Sequence, residues 1–205
     1  MDHREHEDRG YWDVSLPAAA EGADPTWVTA AVEQVGGPQL ADWAVRLLTG
    51  RARPGDPGDP DIALIRGEVT DLDPELVLDP HLPRWLGARV LQYHWHPRAA
   101  QAVLTALTDE SPAVRQACCR IVAVQGTPAL ADAAATVESL LVDPEPRVRS
   151  AAALALGEVG GERAATALQG LLMDPDSVLA AAAEDALGRL AERHSRPDLR
   201  AEPEY

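Results

Sequence analysis

At 205 residues the chain has room for one domain or one short array of repeats. Ala and Leu dominate, Phe is absent and aromatics make up 4% of residues, so a core must be assembled from small aliphatic side chains, a composition that favours helix. The net charge of −15, with all 18 basic residues Arg, argues against a general nucleic-acid or anionic-membrane binder, because both need a positive field.

Taken in chain order, Met1 to Gly10 is charged and no long apolar stretch follows it, so no secretory signal is expected. Residues 1–12 read as a disordered tail. Residues 13–78 read as an N-terminal helical cap. In it, Asp24-Pro25 starts a helix over Thr26 to Val35 with Trp27, Val28, Ala31 and Val32 on one side. Gly36-Gly37-Pro38 breaks that helix. Gln39 to Thr49 forms a second, with Leu40, Trp43, Ala44 and Leu47 apolar at a spacing of three to four. Residues 50–61 are too rich in Pro and Gly for anything but loop. Short helical pieces at about Ile62–Glu68 and Pro74–Val77 complete the cap.

A repeat array is expected over residues 79–194. Asp109 to Gly126 reads DESPAVRQACCRIVAVQG, Asp143 to Gly160 reads DPEPRVRSAAALALGEVG, and Asp174 to Ala191 reads DPDSVLAAAAEDALGRLA. Each opens on Asp, passes through a short turn and an aliphatic residue, and enters a small-residue helix. Asp before such a helix can cap its free N–H groups. Second helices are expected at roughly 128–142 and 162–173, and the third segment runs on as a final helix to about Arg193. A more diverged copy lies upstream, opening on Asp79-Pro80, with helices at about Pro83–Tyr93 and Arg98–Thr108. One helix pair cannot bury its apolar side alone; stacked pairs share a continuous core. Residues 195–205 read as a second disordered tail. The fold expected is thus all-α, a right-handed α-solenoid of stacked antiparallel helix pairs. No run of 18 apolar residues appears, so no membrane span is expected.

The pattern Asp-x-x-x-x-Val-Arg-x-Ala-Ala-x-x-Ala-Leu-Gly, carried by Asp143, Val148, Arg149, Ala151, Ala152, Ala155, Leu156 and Gly157, resembles the HEAT-like repeat family, in particular the short repeats of the phycobilin-lyase type. The resemblance covers about residues 79–193. It implies a stack of helix pairs used for protein contacts. The last copy departs at one position, with Ala180 where Arg149 stood. A terminal repeat has no following neighbour, so loss of an inter-repeat contact there is expected.

Four residues read as a structural ladder: Arg115 stands six after Asp109, and Arg149 six after Asp143. Turns of this type put the two side chains on one edge, where they pair within or between repeats and fix the repeat spacing. Cys118 and Cys119 are adjacent, a strained geometry for a disulfide, and fall where Ala152 and Ala153 stand in the next copy. They read as small buried packing residues in a reducing, cytoplasmic setting. His94 and His96, with His81 as a third, are candidate metal ligands, yet two His at i, i+2 do not share a helix face and zinc needs three or four convergent ligands. The favoured reading of Tyr93-His94-Trp95-His96 is a turn whose Trp95 packs on the neighbouring pair.

Charge is uneven along the chain. Residues 81–126 carry five Arg against two acids, a local net of +3, between flanks of −11 and −7. Arg84, Trp85, Arg89, Tyr93, Trp95, Arg98 and Arg120 combine aromatic and Arg character, the composition enriched where proteins bind one another. The function expected is a non-enzymatic protein-interaction scaffold or adaptor. Its expected partner is a protein or acidic peptide, engaged through this middle stretch, with no membrane, no cofactor and no metal. Nothing resembles a nucleophile elbow or a phosphate loop. The competing readings are enzymes or enzyme accessories of the HEAT-like lyase or hydroxylase type acting on protein, and an alkylbase DNA glycosylase. Hydroxylase relatives hold two irons with several His-Glu pairs, whereas this chain has one, His6-Glu7, in its N-terminal tail. A glycosylase would have to use Trp85, Trp95 and Arg115 against the unfavourable overall charge.

Overall fold

The computed structural model describes residues 26–66, 81–126 and 128–200. The expected tails at 1–12 and 201–205, the Pro74–Val77 piece and the opening Asp79-Pro80 lie outside these residues. Helices run in the order α1 (Thr26–Val35), α2 (Gly37–Leu48), α3 (Ala63–Arg66), α4 (Leu82–Tyr93), α5 (Ala100–Ala106), α6 (Pro112–Gln125), α7 (Ala134–Ser139), α8 (Pro146–Val159), α9 (Glu162–Gln169) and α10 (Ser177–His194). Among the described residues there is no strand, and no helix is long and apolar enough to cross a membrane.

Successive α2, α4, α6, α8 and α10 pack each on the next and form one row. The shorter α5, α7 and α9 lie between them in sequence and make the second row of an α-solenoid. One apolar cluster runs through the stack from Ala31 to Leu199. Its close packing depends on small residues. Gly87 of α4 faces α2 so tightly that a Cβ there would stand 2.5 Å from the Ala44 carbonyl oxygen. Ala152, Ala153, Cys118 and Cys119 are all fully buried, as their matched repeat positions imply. Burial pushes the Cys119 thiol up to about 12 and Cys118 well above its ordinary value, so neither is a thiolate at neutral pH.

The second row departs from the expected long helices. Its middle member is a 3₁₀ stretch at Pro128–Ala133, then α7, then another 3₁₀ turn at Leu140–Val142. Leu130, Ala133, Val137 and Leu140 are all buried. Their spacings of three, four and three place them on one face of a helix. Residues 195–200 also differ from the expected tail. Arg196 donates its backbone N–H to the Ala191 carbonyl, and the 3₁₀ turn Pro197–Leu199 seats Leu199 against α10. The Pro/Gly-rich loop is held rather than free: Arg46 of α2 pairs with Asp59, and Gly55 and Gly58 supply the positive-φ positions of its turns.

The opening Asp residues do not cap their helices directly. Asp109, Asp143 and Asp174 each accept the backbone N–H two residues on, at 2.8, 2.9 and 2.9 Å, which shapes the turn before the helix. Asp176 caps α10 by side chain, accepting from Val178 and Leu179.

Candidate functional site

The turns opened by Asp109 and Asp143 present their carboxylates to the preceding repeat, where an Arg meets each of the two. Arg115 of α6 forms a two-pronged pair with Asp143, Nε to Oδ2 at 2.8 Å and Nη2 to Oδ1 at 2.9 Å. Its remaining nitrogen donates to the Asp109 and Glu110 carbonyls, so every nitrogen of Arg115 is engaged. Burial alone would raise the Asp143 carboxyl; the Arg115 guanidinium and the Glu145 N–H outweigh it and hold that group below the ordinary carboxylate range. One repeat on, Arg149 donates to the Asp143 carbonyl at 3.0 Å and faces Asp176 at 3.6 Å. One repeat back, Arg84 of α4 pairs with Asp109 at 2.9 Å and Glu110 at 3.0 Å. Each Arg therefore reaches forward to a carboxylate of the next repeat, and Ala180 stands at the matching position of α10. Arg84 sits one residue after Pro83, not three as Arg115 after Pro112, so the repeat register did not reveal it as a rung.

Three nominated residues form one stripe. Trp85, Arg89 and Tyr93 follow at i, i+4 and i+8 on α4. The Arg89 guanidinium lies 4.5 Å from the Trp27 ring centroid and 5.6 Å from that of Trp85, and donates to the Arg66 carbonyl at 2.9 Å. Tyr93 meets Trp27 edge-on at 6.0 Å. Arg89 is only 7% exposed and acts as the cation that α1, α3 and α4 close around. The residue that sequence reasoning missed is Trp27, whose apolar spacing in α1 marked it as core and gave no sign of a cation partner.

Trp95 is partly buried against the core. The three His go separate ways. His94 Nε2 donates to the Gly37 carbonyl at 3.0 Å, tying the end of α4 to the start of α2. His96 Nδ1 accepts the Arg98 backbone N–H at 3.2 Å. His81 lies beside Arg84 and Glu110 at the opposite end of α4, a helix roughly 18 Å long. No group of three potential metal ligands occurs among the described residues.

Two nominated cations differ from the rest. The Arg98 side chain is exposed at the rim of a small cleft of about 170 Å³ lined also by Pro38, Ala41, Asp42, Val45, His96 and Ala99. Arg120 of α6 is half-buried, and neither guanidinium has an ion-pair or hydrogen-bond partner among the described residues. Burial pulls the Arg120 pKa down, the Arg147 charge adds to that, and the Tyr93 phenol opposes it. The free positive charge of the middle stretch thus narrows from five Arg to two.

The family model described as HEAT repeats matches residues 100–188. No curated protein matches the chain. Among solved structures the chain is similar to the crystal structure of an engineered protein, at 21% identity and a TM-score of 0.42, covering 81% of this chain and 78% of that one. The helix pairs stacked through one core and the Asp–Arg contacts along one edge agree with that match, which marks residues 100–188 as HEAT-like repeats.

Proposed function

We propose that the chain is a protein-interaction scaffold whose array engages an acidic protein or peptide through the surface of α4, the following turn and α6. HEAT repeats generally mediate protein–protein contact, which supports the coarse reading. The observation that carries the finer one is the pair of guanidinium groups, Arg98 and Arg120, that have no carboxylate partner among the described residues of a strongly acidic chain. Tyr93, Trp85 and Trp95 lie near them in the chain and leave part of their rings exposed, which suits a contact surface. Buried free thiols at Cys118 and Cys119 fit a reducing, cytoplasmic setting.

The test is affinity capture from lysate of the source cell, followed by reconstitution with the purified partner. The reading expects a partner with an acidic patch and a complex that weakens as salt rises. Arg98→Gln and Trp95→Ala are expected to reduce affinity, with Arg163→Gln on α9 as the neutral control. A reconstituted complex indifferent both to salt and to substitutions within 81–126 would overturn it.

A further inference from the structure

We infer that the cleft between α2 and the turn after α4 seats one apolar side chain of the partner, and that the carboxylate of an adjacent Asp or Glu in the same partner segment meets Arg98 on its rim. The inference rests on the scaffold reading and adds the pocket and the chemistry of the segment that enters it. One wall is a single face of α2, where Pro38, Ala41, Asp42 and Val45 follow at i, i+3, i+4 and i+7. The other wall is His96, Arg98 and Ala99, from the 3₁₀ turn Pro97–Ala99 and the residue before it. The His94 Nε2 hydrogen bond to the Gly37 carbonyl, 3.0 Å, ties the end of α4 to the first residue of α2 and holds the two walls together. Ala41 and Ala99 are small and buried, so the space of about 170 Å³ is open down to two methyl groups. A group of Leu to Phe size matches it, since an apolar cavity of about 150 Å³ takes one benzene ring.

Charge on the rim selects the neighbour of that side chain. Arg98 is exposed, and its guanidinium has no ion-pair or hydrogen-bond partner among the described residues, so it is open to an incoming anion. Its backbone N–H donates to His96 Nδ1 at 3.2 Å, which leaves Nε2 as the protonated nitrogen of the neutral ring and a second donor on the same wall. The wall opposite carries Asp42, 3.4 Å from Arg46 one turn further along α2. A cation of the partner would have to share Asp42 with Arg46, whereas a carboxylate is repelled at Asp42 and paired at Arg98. The segment is therefore oriented, with its apolar side chain down and its acid toward the turn. A nucleic-acid strand has no aliphatic group for the floor, and its phosphates would run onto flanks of net −11 and −7. Burial of the apolar group outweighs the rim ion pair, because the pair is exposed and screened.

The experiment titrates the isotope-labelled full chain with a capped Gly-Leu-Glu-Gly tetrapeptide and follows the amide NMR shifts. Three further peptides replace Glu by Gln, Glu by Arg, and Leu by Ala. The Leu-Glu peptide is expected to give saturable shifts at residues 38–45 and 96–99, with a Kd on the order of 1 mM. Ala for Leu should weaken binding about tenfold or more. Gln for Glu should weaken it about threefold to fivefold, and Arg for Glu should bind no better than Gln. Arg98→Gln should abolish the preference for Glu over Gln and keep the preference for Leu over Ala; Arg98→Lys should retain part of the Glu preference, and Arg163→Gln should change nothing. Because the Arg98 side chain is exposed, the amide spectrum of Arg98→Gln should match wild type outside this turn. No saturable shift, shifts confined to other residues, equal binding of the Leu and Ala peptides, or a Glu preference that survives Arg98→Gln overturns the inference. Tightest binding of the Arg peptide overturns it too, by placing the charge contact at Asp42. The scaffold reading is decided separately, by whether the reconstituted complex responds to salt and to the other substitutions within 81–126.

Discussion

Arg115 and Asp143 form the most enclosed ion pair of the ladder, with side-chain exposures of 13% and 4%. Such a pair adds little over apolar packing, but removing one partner strands the other charge. Arg115→Gln is therefore expected to cost on the order of 3 kcal/mol, roughly 6–12 °C in melting temperature for a chain of this size. Thermal denaturation checks it; a shift within the error of the melt would show that the pair is dispensable. The same pair sets an acid dependence. Because the folded Asp143 carboxyl is held below its ordinary value, its contribution is complete above about pH 4 and is lost as pH falls through the depressed value. Melts across the acid range should show wild type losing stability there, while Asp143→Asn starts lower and loses less. The thiols allow a further residue-scale test. Iodoacetamide at neutral pH should leave Cys118 and Cys119 unmodified in folded protein and alkylate both in denaturant, because only the thiolate reacts and burial suppresses it.

At the scale of elements, two glycines within helices should respond with opposite signs. Gly to Ala in a helix ordinarily gains about 0.5–1 kcal/mol. Gly188 of α10 has nothing within 4 Å of an added Cβ, so Gly188→Ala should show that gain. At Gly87 the added Cβ would meet the Ala44 oxygen at 2.5 Å and the Leu48 nitrogen at 2.8 Å, both backbone, so α2 and α4 must separate. Gly87→Ala should cost about 1–3 kcal/mol in denaturant melts. First-row helices were legible in the sequence because Pro112 and Pro146 start two of them and Ala, Leu and Val repeat at helical spacing behind those prolines. The second row was less so. Pro128 to Val142 has a clear apolar pattern, but that pattern does not separate an unbroken α-helix from the 3₁₀ turns that flank α7. Arg89 is the sharper case, since its burial depends on Trp27, some 60 residues away in the chain.

Across the whole molecule, the ladder and the small-residue rows make the repeats interdependent, and charge divides the surface. Toward the C-terminus, cations on the first row are matched: Arg189 pairs with Glu158 and Asp185, and Arg193 donates to the Gly157 and Gly160 carbonyls. Arg98 and Arg120, without an ion-pair partner among the described residues, lie in the α4-to-α6 stretch. The +3 segment was legible from the order of residues alone, but its division into ladder rungs, a buried Arg89 and two guanidinium groups without a partner among the described residues was not, because pairing depends on which carboxylate each turn presents. Substituting Arg84 or Arg89 would disturb the fold before it tested binding, whereas Arg98 and Arg120 separate the two effects. Hydrogen–deuterium exchange of the full chain, with and without the captured partner, tests the central claim most directly. The account predicts that the partner slows exchange across residues 82–125 and leaves α8 to α10 unchanged; protection confined to residues 146–194 would contradict it.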